Sequence, residues 1–118
     1  MVNLRNQAIV TSVNTGLLPA AVAVNILTNQ IYVSNNGSGT VSDLDGSSGN
    51  TTTITAGSSP SAIAIDPVTN KVYVALSASG GGLIVIDGAV NAAATFAVGN
   101  NPTATAANPA TNKIYTAN

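Results

Sequence analysis

PSAIAIDPVTNKVYVAL, residues 60–76, decides the fold, because the chain carries this stretch in three versions. Its relatives are PAAVAVNILTNQIYVSN at residues 19–35 and PTATAANPATNKIYTAN at residues 102–118. The opening prolines Pro19, Pro60 and Pro102 recur after 41 and then 42 residues, and the tyrosines Tyr32, Tyr73 and Tyr115 keep the same steps. Around and between these copies, apolar residues alternate in runs of about four to seven, bounded by Gly, Pro, Asn and Ser. That pattern is the mark of short, partly buried strands.

The second period predicts strands over residues 62–65, 71–76, 83–87 and 93–98, and the first over 21–24, 30–34, 40–45 and 51–55. The link between the first two strands reads Asp66-Pro67-Val68-Thr69-Asn70-Lys71 and is echoed by Asn108-Pro109-Ala110-Thr111-Asn112-Lys113. Asp or Asn opens such a turn by bonding its own backbone, Pro presets φ, and the later Asn tolerates the left-handed conformation that closes it. Ile26 stands where Pro67 and Pro109 stand, so the first copy of the turn lacks that preset. Asp45-Gly46 and Asp87-Gly88 signal a second reversal after the third strand.

A period near forty with this strand pattern predicts an all-β fold, a β-propeller of four-stranded antiparallel blades. Residues 10–16 lie 41 positions before 51–57 and read as a fourth strand, residues 2–6 as a third, and residues 103–107 and 113–117 as a first and second. The expected organisation is therefore a partial propeller of three blade-equivalents. Residues 1–18 supply the last two strands of a split blade, 19–59 and 60–101 are whole blades, and 102–118 supply the first two strands of the split one. Open strand edges and uncovered blade faces make a lone chain sticky. The expected partner is the chain itself, as a homodimer closing six blades about a twofold axis. Three chains would give nine blades, above the usual range of about four to eight. The other readings are an excerpt of a longer propeller and an engineered or ancestral repeat fragment whose property is self-assembly.

Composition narrows the function. Only 6% of the 118 residues are charged and the formal net charge is −1, so no basic field exists to attract nucleic acid. No apolar run approaches the length of about 20 residues that spans a bilayer, so no membrane insertion is expected. Cysteine and histidine are both absent, which removes disulfides, the usual zinc and haem ligands and the commonest general base. No cofactor or metal is expected. The acids are Asp43, Asp45, Asp66 and Asp87. The N-terminus lacks the basic start and apolar run of a secretory signal, while richness in Thr, Ser, Asn, Ala and Gly leans toward an extracellular or cell-surface protein.

TNQIYVSN, TNKVYVAL and TNKIYTAN, with LIVIDG further on and the joints Gly57-Ser58-Ser59-Pro60 and Gly99-Asn100-Asn101-Pro102, resemble the YVTN family of β-propeller repeats. The resemblance covers essentially the whole chain. It implies a propeller fold, commonly seven-bladed in longer chains, from bacterial and archaeal proteins often found at the cell surface or exported. It implies no single activity: relatives include surface-layer and adhesion-type modules, and similar propellers accompany redox or lactone-cleaving enzymes.

Propellers bind at the mouth of their channel, through the loops between second and third strands and the joints between blades. Those loops are neutral and rich in glycine, and their candidate binding residues are Asn35, Asn36, Ser38, Ser77, Ser79, Asn100 and Asn101. A sugar site normally adds aromatic platforms, and the chain has one Phe, three Tyr and no Trp. The tyrosines sit at equivalent positions and read as packing residues. Gly80-Gly81-Gly82 lacks a following helix and Lys-Ser/Thr pair, so it is extra loop and no phosphate cradle. Asp45 and Asp87 share one repeat position, as Asp66 shares another with Asn25 and Asn108, which argues for turn roles. Asp43 replaces an apolar strand residue, Val85 in the next blade, and reads as lying near the exposed outer rim. Arg5 stands at the position of Asp45 and Asp87 and reads as a solvated surface arginine. No catalytic constellation assembles, so the expected function is a non-enzymatic structural or binding module presenting polar loops to a partner whose identity the residues do not specify. The alternative is a subunit or fragment of a propeller enzyme, hydrolase or redox type, using acids at the channel mouth.

Overall fold

The computed structural model describes residues 2–3, 5, 8–9 and 12–118, and among these it contains strands and turns and no helix. The first complete sheet runs β3 (Pro19–Asn25), β4 (Gln30–Asn35), β5 (Thr40–Asp45) and β6 (Thr51–Thr55), each antiparallel to the next. The second runs β7 (Pro60–Asp66), β8 (Lys71–Leu76), β9 (Gly82–Asp87) and β10 (Ala92–Ala97) in the same order. Two short sheets flank them: β1 (Val2–Asn3) with β2 (Ala8–Ile9), and β11 (Ala104–Asn108) with β12 (Lys113–Ala117). The first strands β3, β7 and β11 lie side by side, so each sheet packs face to face against the next.

Local chemistry sets the turns. Asn25, Asp66 and Asn108 each accept a backbone N–H two residues on through Oδ1, from Leu27 at 3.0 Å, Val68 at 3.0 Å and Ala110 at 3.1 Å. Asn29, Asn70 and Asn112 close these turns at φ of 57°, 54° and 53°, in the left-handed region that Asn tolerates. Asp45 and Asp87 do the same work after the third strand, accepting from Ser47 at 2.7 Å and Ala89 at 3.0 Å. The glycine that follows each has a second reason to be there. Gly46 and Gly88 donate to the carbonyls of Asn29 and Asn70 at 2.9 Å, and a Cβ on either would fall within 2.9 Å of that neighbour.

Strand alternation then builds the core. Val72, Val74, Ile84 and Ile86 of the second sheet face the first and bury Tyr32, Val41, Ile54 and Ala56 with them. Hydrophobic burial of this kind is the main favourable term in the fold, worth about 1.5–3 kcal/mol for each fully buried aliphatic side chain. Tyr73 and Val85, paired across β8 and β9, alternate with these core residues and remain partly exposed.

Several expectations change here. The strand expected over residues 10–16 is not formed over 12–15, which carry no regular structure, while residues 10 and 11 lie outside the described residues. Among the described residues the pairing at this end is instead Val2 opposite Ile9 and Asn3 opposite Ala8, in a two-stranded sheet. Of the third strand expected over 2–6, positions 4 and 6 also lie outside the described residues, and Arg5 is an exposed turn residue. Gly82 belongs to β9 rather than to the loop: it is buried, and a Cβ there would meet the Phe96 carbonyl at 2.5 Å. The tyrosines are not equivalent in packing, since Tyr32 is 0% and Tyr115 57% exposed.

Candidate functional site

The β4–β5 loop and the joints between sheets converge on one face of the molecule. Asn36 and Gly37 donate to the carbonyls of Leu18 and Leu17 at 2.9 and 3.0 Å, Ala56 and Gly57 donate to Gly39 at 3.0 and 3.1 Å, and Ser77 donates to Ser59 at 2.9 Å. This lacing holds open two hollows that share Ser58. The first, about 470 Å³, is lined by Asn36, Ser38, Gly39, Thr55, Gly57 and Ser59 among others. The second, about 270 Å³, lies between Ser79, the Gly80–Gly82 run and Phe96. Ser59 sits at φ 56° and Gly57 at φ 117°, so the joint adopts a conformation that few residues tolerate.

The candidate residues fare differently. Asn36 and Ser38 share the larger hollow, and Ser79 lines the smaller one. Ser77 spends its hydroxyl on the Ser59 carbonyl at 3.1 Å. Asn100 and Asn101 are exposed on the joint before Pro102. Asn35 is buried beneath the loop, donating to Ser42 at 2.9 Å and Thr40 at 3.2 Å, so it supports the loop from below and offers a ligand nothing directly. Phe96, an exposed aromatic on β10, walls the smaller hollow and is not among the residues expected there from sequence. Its one signal is that it is the lone phenylalanine in an otherwise small-residue strand.

Asp43 is the clearest correction. It is 6% exposed and lies between the two complete sheets, not at an exposed rim. Its Oδ2 accepts from Asn91 Nδ2 of the second sheet at 3.0 Å, and Gln30, with its amide nitrogen turned toward the carboxylate, donates to Oδ1 at 2.9 Å. Burial holds its pKa above the usual carboxylate value, the Asn91 bond partly opposing and the Asp45 charge adding to the rise. Tyr32, opposite Asp43 across β4 and β5, has a buried hydroxyl with no partner, and burial together with the Asp43 charge pushes its pKa up to about 12. Asp43 and Tyr32 are buried and Gln30 and Asn91 half-buried, and the Asn91 bond makes the cluster a joint between the two sheets. The other acids are tied up locally: Asp66 in its turn, Asp45 in its turn, and Asp87 in its turn and in a 3.2 Å ion pair with Lys71.

Face-packed four-stranded antiparallel sheets with adjacent first strands define a β-propeller-type protein. Two solved structures share that fold. A chain of Kuenenia stuttgartiensis hydrazine synthase is similar at a TM-score of 0.76 and 22% identity, over 92% of this chain and 31% of that one. A chain of a nidogen/laminin complex is similar at a TM-score of 0.71 and 20% identity, over 86% of this chain and 40% of that one. This chain therefore spans well under half the length of either, and the likeness is one of fold. No protein-family model matches the chain, and no curated protein matches it.

Proposed function

We propose that the chain is a non-enzymatic structural and binding module of YVTN-type propeller repeats, which associates with copies of itself and presents its loop face to a neutral partner. The observation that carries this is the chemistry of that face. Its hollows offer backbone groups, Asn36, Ser38, Ser79 and the Phe96 ring, with no titratable side chain lining either one. Such a lining suits a neutral saccharide or an extended peptide, held by hydrogen bonds and one aromatic contact. The four aspartates, by contrast, are engaged in turns and in a buried joint, and among the described residues no three acids gather as a metal site would require.

Three measurements test the reading. Sedimentation of the 118-residue chain is expected to show a two-chain species, and a single chain at every concentration overturns self-association. Thermal unfolding is expected to be unmoved by Ca²⁺ or Mn²⁺; a saturable rise in Tm would overturn the non-enzymatic assignment in favour of a metal-dependent site. Panels of neutral oligosaccharides and peptides should yield binders that Phe96→Ala and Asn36→Lys weaken. Binders indifferent to both changes would show that the loop face is not the site.

A further inference from the structure

Tyr32 of the first sheet packs into the sheet that follows it, and that contact shows what a tyrosine at this repeat position meets. Tyr32 is fully buried against Val72, Val74, Ile84 and Ile86, with Ile63 and Ile65 alongside. One repeat earlier, 41 residues back, Ile63, Ile65, Val72 and Val74 correspond to Val22, Val24, Ile31 and Val33. These four line a hollow of about 540 Å³ on the rear face of the first sheet, and Val22 and Val24 are 65% and 51% exposed. Val13 and Thr15 wall it, at the positions that Ile54 and Ala56 take in the buried contact. The hollow thus repeats most of the wall around Tyr32, with Leu44 at the position of Ile86 and Ser42 at that of Ile84, and lacks the tyrosine.

At the opposite end of the molecule the plug has no socket. Tyr115 stands on the outward face of β12, beside its partner Ala106 on β11, as Tyr32 stands beside Ala23. Ala104, Ala106 and Ala117 lie beside it on a small face without charge, whereas Tyr32 shares its face with Asp43.

We propose that Tyr115 of one copy seats in the Val22, Val24, Ile31 and Val33 hollow of a second copy, repeating between chains the packing that Tyr32 makes within one. This rests on the self-association proposed above and names the contact that drives it. The occupant is a second copy because the molecule already contains the same wall filled by the same residue in the same repeat position. A head-to-tail contact of this kind closes a ring when the rotation per sheet is kept. An aromatic ring in an apolar socket is also the sort of anchor that dominates an interface.

The test uses the unmodified 118-residue chain first. Acetylation of tyrosines, mapped by mass spectrometry, is expected to be fast at Tyr115 in dilute protein and at least tenfold slower at concentrations where the two-chain species dominates. Tyr115→Ser and Val24→Asp, which approach the contact from its two sides, are each expected to weaken association by about 30-fold or more, as loss of an interface anchor does. Both positions are exposed in the single chain, so circular dichroism is expected to stay unchanged. If the unmodified chain associates while Tyr115 is acetylated at its dilute rate, the Tyr115 contact is overturned and self-association stands. If the unmodified chain never associates, both fall.

Discussion

Asp66 and its repeat counterparts Asn25 and Asn108 make the same turn bond with a carboxylate in one case and an amide in the others, so what the turn requires is an acceptor oxygen and not a charge. Asp66→Asn is therefore expected to change unfolding free energy by less than about 0.5 kcal/mol, while Asp66→Ala leaves the Val68 and Thr69 amides short of a partner and costs about 1–3 kcal/mol. Urea titration of both variants checks this. Asp43 obeys a different rule. Because burial raises its folded pKa, the folded state holds the proton more tightly than the unfolded chain. The stability so gained is fully present below the unfolded value, near 4, and is lost as pH rises through the folded one. Asp45 and Asp87 run the opposite way: backbone N–H donors lower their pKa values, so their contribution holds above the unfolded value and is lost as pH falls through the folded one. Tm is thus expected to climb as a neutral solution is acidified toward about pH 4 and to drop below it. Asp43→Asn should flatten the climb and leave the acid limb alone. A variant that climbs as steeply as the parent would mean that Asp43 does not titrate in the joint.

At the scale of strands and turns, the repeat turns one substitution into a graded experiment. Tyr32, Tyr73 and Tyr115 share a register position, yet they run from fully buried through partly buried to exposed, according to how much of a following sheet covers each. Replacing each with Ala in dilute protein is expected to cost about 3–5 kcal/mol at Tyr32, an intermediate amount at Tyr73, and under about 1 kcal/mol at Tyr115. Equal costs measured by denaturant midpoint would show that side-chain burial does not set the series. The same series shows what was legible in sequence. Alternation, turn residues and the period are local properties, so the eight strands of the two complete sheets could be read directly, although β3 and β7 each run three residues longer than the alternation alone marks. Covering is a property of neighbours, so the exposure of Tyr115 could not. Asp43 failed for that reason too: in sequence it is a polar residue at an apolar position, and its rescue by Asn91 lies 48 residues away. Residues 12–15 differ in a third way, since Val13 and Thr15 lie across a hollow from the first sheet with no strand ladder between them. Asn36, Ser38 and Ser79 could be placed on the loop face from sequence because loops between second and third strands fall on one face. Phe96 was not, because nothing in the sequence of β10 says which loop its ring will meet.

Taken whole, the molecule has ordinary interior packing between its two complete sheets and apolar material left over at both flanks, with Val22 and Val24 at one and Tyr115 at the other. Sheets that bury their faces against neighbours gain stability from each neighbour added, so association and folding should be linked by mass action. For an ordinary single domain, Tm is independent of protein concentration. For a chain that unfolds from a two-chain species, each tenfold rise in concentration adds about 1.4 kcal/mol per pair of chains at room temperature. Dividing this by an unfolding entropy of about 2.1 cal/mol/K per residue, for two chains of 118 residues, raises Tm by about 3 °C. With 6% charged residues and a net charge of −1, the driving force is apolar, so this shift should persist in molar salt, where a contact between opposite charges would weaken. Scanning calorimetry over a hundredfold range of concentration, at low and at high salt, is the measurement. A Tm that does not move with concentration would mean that the flanking faces of the 118-residue chain stay in water and are not covered by a second copy.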